Sequence, residues 1–556
     1  MSFLASGRPG LASGKQHLQP GQQSSLTGLQ FFTVLVAGCA HAASMAWPFA
    51  WGSMLGLNAG QPVGWLQLLA MALLTGQLDG TRTWQRGAWL GGLFAVAMQC
   101  ATYWWLFISL HVYGGLAAPL TVLAIVLLAS LLGLYYAAAS SLFVLFAPIK
   151  IAYRAMFFAA MWLLSELARV KFFTGFPWGE GGYAHVDGWA RPLAAWIGVH
   201  GLTFGAAMVA AWLAFCLLAP KTRWLPALAG VVLSVGVAWL PVFGGDQAEP
   251  DAALLKPMSV TLLQGNIPQD EKFVPGTGVA TALRWYDEQL RRASTALVVA
   301  PETAFPMLPQ QLPEGYWLAL QMRFATGGQA ALIGLPLGDF ATGYSNSVLG
   351  FRPVQADPPA PLILPEFYRY DKHHLVPFGE VIPTGFHWFI QLMNIPLGDF
   401  NRGAVGQPSF DWQGQRLAPN ICYEDLFGEE LAARFVDPAK APTIFVNVSN
   451  IAWFGNTVAI DQHLQISRMR ALEFGRPMIR ATNTGATAII SHQGEVTHAL
   501  PRHTRGALVG EVQGRSSITP YAWWAGRFGL WPLWALGGAA LGLALVFRRQ
   551  NLAAAA

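Results

Sequence analysis

The stretch PNICYED, residues 419–425, places a single thiol beside two carboxylates and a tyrosine. The apolar run RLAPNI leads into it and is typical of a buried strand, so we expect Cys422 in the loop after a strand. The other three cysteines, Cys39, Cys100 and Cys216, lie inside apolar runs, where cysteine behaves as a small hydrophobic residue. This distribution excludes a disulfide framework and a CxxC metal site.

The sequence around this stretch, residues 244–520, has the pattern of an α/β domain. Short β-rich runs such as SVTLLQGN, ALVVAPETA and PTIFVNVSN alternate with helical segments such as TALRWYDEQLRRA. Strands that alternate with helices predict an α/β fold, and the length suffices for one hydrophobic core.

The rest of the chain indicates a membrane protein. Of the 556 residues, 54% are hydrophobic and only 11% are charged, which is too apolar for an ordinary soluble protein. Residues 1–28 are polar and rich in Gln, Ser and Gly, and they predict a disordered tail instead of a signal peptide. The Lys and Arg residues behind the net charge of +5 are scattered or flank apolar runs, so we expect no nucleic-acid partner.

Eight apolar stretches have the length that crosses a membrane as a helix, seven within residues 29–243 and one within residues 521–556. They centre on residues 30–48, 62–77, 87–110, 115–147, 153–168, 192–218, 222–243 and 527–547. Residues 47–60 either extend the first span or form a short interfacial helix. We therefore expect a bundle of about eight transmembrane helices.

Loop charges predict the orientation of this bundle, because Lys and Arg near span ends stay on the cytoplasmic side. Five basic pairs fall on one side of the alternating spans: Arg8 and Lys15, Arg82 and Arg86, Lys150 and Arg154, Lys221 and Arg223, Arg548 and Arg549. The short segments on the other side hold Arg169, Lys171 and Arg191. Both termini are then cytoplasmic, and the α/β domain lies outside the cytoplasm.

Three reactive side chains follow predicted strands: Glu302 in VVAPETAFP, Lys372 in YRYDKHHLVPFGE and Cys422 in PNICYED. Loops after strands are where α/β folds usually assemble sites. A carboxylate can take the proton of a thiol, and a lysine can activate that thiol or stabilise an oxyanion. Each residue also has an ordinary alternative, as a buried small residue, a helix cap or an exposed loop residue.

The segments PETAFP, KHHLVPFGE and NICYEDLFGE, followed by NVSNIAWFG, resemble the Glu, Lys and Cys motifs of the nitrilase superfamily. Together with the flanking spans, they make the chain similar to the apolipoprotein N-acyltransferase family from the first span to the last. The resemblance implies a nitrilase-like αββα sandwich on an eight-helix bundle in the inner membrane of a bacterium, with the catalytic domain in the periplasm. It implies no metal and no other cofactor.

Carried over to this sequence, the resemblance implies four catalytic residues. Glu302 is expected to be the general base, Lys372 the oxyanion-stabilising lysine and Cys422 the nucleophile. Glu380, in VPFGE, resembles a second essential glutamate that orients the lysine or assists proton transfer. An ordinary loop acid is the alternative for Glu380.

The resemblance also marks positions expected to contact substrates or support the site: Tyr423, Glu424, Trp453, Asn346, Phe273, Trp178 and Arg169. Tyr423 and Glu424 resemble supports of the nucleophile loop, with packing and capping as alternatives. Arg169 and Trp178 resemble residues at the lipid entry, although an arginine near a span end normally snorkels and tryptophan is common at interfaces.

Two positions depart from the family pattern. Where the family often has Lys-Trp, this chain has Lys272-Phe273, which keeps an aromatic ring but loses the indole N–H. The usual SNDAWFG is SNIAWFG here, so Ile451 replaces an acid and any charge role at that position is absent.

The activity that the resemblance implies is two acyl transfers. A phospholipid donates an acyl chain to Cys422 as a thioester, and the α-amino group of a diacylglyceryl-cysteine at an apolipoprotein N-terminus accepts it. Membrane lipids surround the protein, and we expect a monomer because each chain holds a complete set of motif residues.

Other function classes remain as alternatives. A membrane-tethered nitrilase-like amidase or hydrolase would use the same residues with water as the acceptor. A transporter or an inactive scaffold is disfavoured because the spans carry few ionisable residues, and serine hydrolysis because the chain has no GxSxG motif.

Overall fold

The computed structural model describes residues 27–218, 224–243, 254–354, 366–382 and 400–555. Long helices precede and follow an α/β domain. Seven come before it: α1 (Gly28–Met45), α2 (Gly64–Asp79), α3 (Trp84–Tyr103), α4 (Ala118–Phe146), α5 (Ile151–Lys171), α6 (Ala194–Leu218) and α7 (Trp224–Phe243). Each of the first seven predicted spans coincides with one of these helices.

Five helices among the described residues are long and apolar enough to cross a membrane: Gly28–Met45, Ala118–Phe146, Ile151–Lys171, Arg191–Leu217 and Trp531–Arg548. The sequence predicts about eight. Helix α2 has 16 residues, fewer than the roughly 20 that cross the hydrocarbon core. Helix α3 has 20 residues but begins with Trp-Gln-Arg.

The segment after α1 does not extend the first span. Helix α1 ends at Met45, and Ala46 has extended backbone angles. A short 3₁₀ helix, Ala50–Leu55, follows and exposes Trp51 and Met54. Of the two alternatives for residues 47–60, the structure therefore favours a separate short helix.

Small residues allow the helices to approach closely. A Cβ atom added at Gly38 of α1 would lie 2.4 Å from the carbonyl oxygen of Phe94 in α3. One added at Gly91 of α3 would lie 2.0 Å from the hydroxyl of Ser140 in α4. Small residues at such crossings are typical of helix packing in membranes, where dispersion contacts replace the hydrophobic effect.

Twelve strands in the described parts of the chain form two six-stranded sheets. They are β1 (Leu254–Gln264), β2 (Leu297–Val299), β3 (Ala330–Asp339), β4 (Gly343–Phe351), β5 (Tyr368–Asp371), β6 (Phe410–Trp412), β7 (Gln415–Ile421), β8 (Ile444–Ser449), β9 (Met478–Thr482), β10 (Ala488–Ile490), β11 (Val496–Ala499) and β12 (Gly506–Arg515). The strand orders are β12-β1-β2-β3-β4-β5 and β11-β10-β9-β8-β7-β6. Both sheets are mixed, with β1, β2 and β3 parallel in one and β7, β8 and β9 parallel in the other.

The two sheets pack face to face, and helices cover their outer faces. Apolar side chains such as Val260 and Val348 of the first sheet meet Leu417 and Val446 of the second in one buried cluster. The outer helices are α8 (Ala280–Arg292), α9 (Tyr316–Thr326), α10 (Gly428–Ala432), α11 (Val458–Phe474) and α12 (Pro520–Phe528), before α13 (Trp531–Ala555) closes the chain. This helix–sheet–sheet–helix arrangement is the predicted sandwich, and α13 coincides with the eighth predicted span.

The loops after the strands meet the ends of the membrane-side helices. The Tyr423 hydroxyl, just after β7, donates a hydrogen bond to the carbonyl of Gly175, just after α5, at 3.1 Å. The indole of Trp105, just after α3, donates to Gln462 of α11 at 3.0 Å. The edge of the domain that carries the predicted reactive residues therefore faces the helix bundle.

Candidate active site

Glu302, Lys372 and Glu380 lie together in one buried cluster. Lys372 follows β5, and its ammonium lies 2.9 Å from Glu380 Oε1 and 3.4 Å from Glu302 Oε1. The residue is only 1% exposed. A buried ammonium persists when carboxylates pair with it, so these two glutamates hold the lysine in place.

Asn346, on β4, bridges the two glutamates. Its side-chain amide donates to Glu302 Oε1 and to Glu380 Oε1, both at 2.8 Å. Its backbone carbonyl accepts the N–H of Lys372 at 2.8 Å. One asparagine thus orients both carboxylates and the backbone of the lysine.

The second oxygen of Glu302 points towards the other sheet. Glu302 Oε2 accepts the backbone N–H of Asn450, just after β8, at 2.7 Å. A carboxylate oxygen has more than one lone pair, so Oε2 keeps the capacity to accept a proton.

Cys422 begins the turn that follows β7. The strand ends at Ile421, and the 3₁₀ helix Cys422–Leu426 starts with a backbone φ of +52° at the cysteine. A non-glycine residue in this left-handed region costs about 1–2 kcal/mol, and such strain clusters at functional sites. The half-buried cysteine is the predicted nucleophile.

The charges of the cluster act on the thiol. Burial raises the pKa of Cys422, Glu302 raises it further, and Lys372 opposes the rise. Burial also disfavours the ammonium of Lys372, but Glu380 and Glu302 outweigh this, so the pKa of Lys372 is raised. These shifts favour a protonated thiol at Cys422 and a charged ammonium at Lys372 near neutral pH.

Glu424 connects the cysteine turn with the lysine loop. One carboxylate oxygen accepts the backbone N–H of Ile421 at 2.7 Å and the hydroxyl of Tyr370 at 2.8 Å. The other accepts the backbone N–H groups of His373 at 2.6 Å and His374 at 3.3 Å. These bonds link the turn that begins at Cys422 to the loop that follows Lys372.

A second lysine, which the sequence marked only as part of a departure from the family pattern, lies in the same region. The ammonium of Lys272, after β1, donates to the backbone carbonyl of Glu302 at 3.2 Å, and the residue is 2% exposed. Burial lowers the pKa of Lys272 to about 8, although Glu302 and Cys422 oppose the shift. The sequence could have indicated Lys272 by its position after a strand, which it shares with Glu302.

Phe273 and Trp453 lie on loops at the same edge of the domain. Phe273 is 36% exposed and follows Lys272. Trp453, in the 3₁₀ helix Ile451–Phe454, makes an edge contact with Tyr113 at 5.7 Å between ring centroids. Ile451 is buried in an apolar cluster, so apolar neighbours pack around it at the position where the family has an acid.

Arg169 and Trp178 lie in the junction between the helix bundle and the α/β domain. The Arg169 guanidinium pairs with Glu166 at 2.6 Å and donates to the Trp178 carbonyl at 2.7 Å. Its side chain is 0% exposed, so it does not snorkel. The Trp178 indole donates to Gln462 at 2.9 Å. Neither residue belongs to the cluster around Lys372, and their contact with lipid stays a prediction.

Among the described residues, no group of three or more His, Cys, Asp or Glu side chains could hold a metal ion.

Comparison with known proteins identifies relatives of both parts of the chain. Residues 52–212 match the family model of the apolipoprotein N-acyltransferase N-terminal domain, and residues 259–521 match that of the carbon-nitrogen hydrolases. The apolipoprotein N-acyltransferase of Verminephrobacter eiseniae is 56% identical over 518 residues, which cover 89% of this chain and 92% of that one. That of Ralstonia nicotianae is 44% identical over 504 residues, or 88% and 90% of the two chains.

Among solved structures, an amidase from Nesterenkonia sp. is 18% identical and has a TM-score of 0.31, covering 48% of this chain and 92% of that chain. The α/β domain is nitrilase-like, as its carbon-nitrogen hydrolase match indicates. Because the relatives match at up to 56% identity over almost the whole chain, this chain belongs to the apolipoprotein N-acyltransferase family.

Proposed function

We propose that this protein transfers an acyl chain from a phospholipid to the α-amino group of the diacylglyceryl-cysteine at an apolipoprotein N-terminus, through a thioester on Cys422. One observation carries the proposal. An ammonium and two carboxylates meet at the edge of the α/β domain that contacts the membrane-side helices, and their charges act on the thiol of Cys422. The name of the relatives, apolipoprotein N-acyltransferase, supports an apolipoprotein as the acceptor and an acyl group as the transferred group.

We propose that all eight long helices, α1–α7 and α13, form the membrane bundle, within residues 29–243 and 521–556. The positions of the basic pairs support cytoplasmic termini, including the tail 1–28, and a periplasmic location for domain 244–520. Exposed apolar side chains such as Leu127 and Val232 support contact with lipid. The cell compartment is then the bacterial inner membrane, and one chain holds the whole site.

In the first step, Glu302 accepts the proton of Cys422 while the sulfur attacks the ester carbonyl of the phospholipid. Because burial keeps the resting group a thiol, proton transfer accompanies the attack. Lys372 stabilises the oxyanion of the tetrahedral intermediate, held by Glu380. The ester C–O bond breaks, lysophospholipid leaves with the proton from Glu302, and a thioester remains.

In the second step, the α-amino group of the lipoprotein attacks the thioester carbonyl, and Glu302 accepts a proton from the amine. The C–S bond breaks, an amide forms, and the proton returns to the sulfur of Cys422. Both substrates are anchored in one membrane leaflet, so a site against the bundle lets them meet in two dimensions. An apolar mouth limits attack by water on the thioester.

Each candidate substrate-contact residue has a role in the proposed reaction. Phe273 and Trp453 lie at the mouth as apolar contacts for acyl chains, and Asn346 holds the glutamates. Tyr423 and Glu424 fix the nucleophile turn. Arg169 and Trp178 are proposed to shape the lipid entry from within the junction.

Mass spectrometry of the purified protein after incubation with phospholipid tests the proposal. We expect an added acyl mass on the Cys422 peptide that hydroxylamine removes, and no such mass in Cys422→Ala. Cys216→Ala, which removes a thiol in helix α6, is the matched control and should acylate normally. An acyl mass on the Cys422→Ala protein would contradict the assignment.

The acceptor is tested in the same reaction. A synthetic peptide with an N-terminal diacylglyceryl-cysteine should remove the acyl mass from the enzyme and gain it as an amide. Release of free fatty acid without N-acylated peptide would instead support a membrane-tethered hydrolase.

A further inference from the structure

A buried polar network lies directly beneath the turn that carries Cys422. Asp425 belongs to the turn itself, His463 and Ser467 lie on α11, and Arg480 lies on β9. All four residues are 0% exposed. Asp425 accepts hydrogen bonds from Ser467 and, at 3.4 Å, from Arg480. Within the described residues, no hydrogen bond joins these four side chains to Glu302, Lys372 or Glu380. The proposed chemistry leaves the network unused.

His463 lies at the centre of this network and reaches the nucleophile. Its Nε2 lies 2.9 Å from Asp425 Oδ1 and 3.2 Å from the backbone carbonyl oxygen of Cys422. Its Nδ1 lies 3.1 Å from the Nη2 of Arg480. Both ring nitrogens are therefore engaged.

These contacts decide the protonation state of the imidazole. A guanidinium has only donors, so Nδ1 must accept the hydrogen bond from Arg480 and carries no proton. The imidazole is then neutral, and its single N–H is on Nε2. That N–H is directed at the two acceptors beside it, the carboxylate of Asp425 and the carbonyl of Cys422.

The backbone of Cys422 requires such a restraint. Its φ of +52° is in the left-handed region, which a cysteine leaves unless its surroundings hold it there. Glu424 holds the residue before it, through the N–H of Ile421. His463 holds the carbonyl of Cys422 itself, which belongs to the peptide unit after the cysteine, whereas the bond from Glu424 holds the peptide unit between Asn420 and Ile421.

The same imidazole is packed against the membrane-side segment. The ring of Trp178 stacks on His463 with centroids 5.6 Å apart and an interplanar angle of 28°. The indole N–H of Trp178 is bound to Gln462, the neighbour of His463 on α11. A shift of the segment that carries Trp178 would therefore move His463 and, through it, the carbonyl of Cys422.

We propose that His463 is a positioning residue for acyl transfer: as a neutral imidazole held by Asp425 and Arg480, it fixes the carbonyl of Cys422 and so aims the thiol. Trp178 extends this contact to the membrane side of the site. The inference rests on the proposed role of Cys422 as nucleophile, which it deepens.

Replacing His463 by Gln or by Asn, two neutral amides of different length, distinguishes the function of Nε2 from that of Nδ1. In His463→Gln, the side-chain nitrogen reaches the place of Nε2 and can donate to the carbonyl of Cys422. In His463→Asn, the shorter side chain reaches only the place of Nδ1 and keeps the bond from Arg480. His463→Phe keeps the ring that packs on Trp178 but makes neither hydrogen bond, while Asp425 and Arg480 still pair with each other.

The readout is the rate at which iodoacetamide alkylates Cys422 in the folded, full-length protein, followed on the Cys422 peptide, with a free model thiol in the same buffer as the reference. This rate does not depend on acyl transfer, so it stays informative if no thioester forms. Single-turnover acylation, kcat and KM for phospholipid are measured beside it, and thermal unfolding measures stability.

We expect His463→Gln to alkylate and acylate within about threefold of the native rates. We expect His463→Asn and His463→Phe to lose at least tenfold in both rates and in kcat, with KM for phospholipid unchanged. A merely structural histidine would lower the unfolding temperature of these variants without separating Gln from Asn. Equal rates in His463→Gln and His463→Asn, or native rates in His463→Asn, would overturn the proposal, and this pair decides the outcome even if His463→Phe fails to fold.

Discussion

The carboxylate of Glu424 accepts the backbone N–H of His373 at 2.6 Å and so joins the two sheets of the α/β domain. Glu424 lies in the turn after β7, in the second sheet, whereas His373 follows Lys372 at the end of β5, in the first. The thiol and the ammonium thus come from different sheets. Glu424 sets the distance between the turn and the loop that carry them.

Replacement of Glu424 by Gln tests this link. The carboxylate accepts from Ile421, Tyr370, His373 and His374, and an amide would present its own N–H groups to some of these donors. Leaving buried donors unpaired costs about 1–3 kcal/mol each. We expect a free energy of unfolding lower by roughly 2–3 kcal/mol and slower acylation of Cys422.

Denaturation in detergent and single-turnover acylation measure the two effects. Glu429→Gln is the matched control, because burial raises the pKa of Glu429 to about 7 and a neutral side chain already suits that position. A Glu424→Gln protein as stable and as fast as Glu429→Gln would show that the link is dispensable.

Lys372→Ala tests the ammonium. The change leaves Glu302 and Glu380 without their shared cation and removes the proposed oxyanion donor. We expect single-turnover acylation of Cys422 to fall roughly 10²–10³-fold, or about 3–4 kcal/mol in the transition state. Lys440→Ala removes an exposed lysine and serves as the control. An unchanged acylation rate in folded Lys372→Ala would remove Lys372 from the mechanism.

Asn346→Asp tests the bridge between the glutamates. The isosteric change replaces an amide that donates to Glu302 and Glu380 with a third carboxylate. Like charges at this distance repel, so the group of carboxylates takes up a proton, and Glu302 is less often ionised and free to accept the proton of Cys422. We expect at least a tenfold loss of acylation at neutral pH.

Asn401→Asp is the control for this change. Asn401 donates to the carbonyl of Thr342 at an exposed position, where an added charge is solvated. Comparable rates in the two variants at neutral pH would argue that Asn346 does not orient the glutamates.

The lowered pKa of Lys272 predicts that the contribution of this residue to the acylation rate depends on pH. Because burial lowers its pKa to about 8, the side chain is mostly charged at pH 7 and mostly neutral above pH 9. A charge near Glu302 and Cys422 favours the thiolate by about 1–2 kcal/mol. Lys272→Met should therefore acylate roughly tenfold more slowly than the native protein at pH 7, and the difference should shrink as pH rises through 8.

The ratio of native to Lys272→Met rates is the measurement, since the titration of Cys422 largely cancels in it. Lys272→Arg, whose charge persists at all these pH values, should keep its advantage over Lys272→Met at pH 9. A ratio that stays constant from pH 6 to pH 9.5 would mean that the charge of Lys272 does not act on the thiol.

Features that depend on near neighbours in the chain could be predicted from the sequence alone. Long apolar runs marked the helices from α1 to α7 and α13, because a helix in lipid must be apolar along its length. Alternation of strands and helices marked the α/β domain. The motifs placed Glu302, Lys372 and Cys422 in loops after strands, where α/β folds usually assemble sites.

The contacts between side chains could not be predicted in this way, because they depend on how distant segments pack. Glu302 and Lys372 are 70 residues apart, and their 3.4 Å approach depends on a strand order and sheet packing that no local pattern encodes. For the same reason, the bridge at Asn346, the buried Lys272, the inward-facing Arg169 and the bonds of His463 to the Cys422 turn emerged from the fold. A local pattern shows how a segment meets water or lipid, whereas a polar contact between distant segments exists only once the chain is packed.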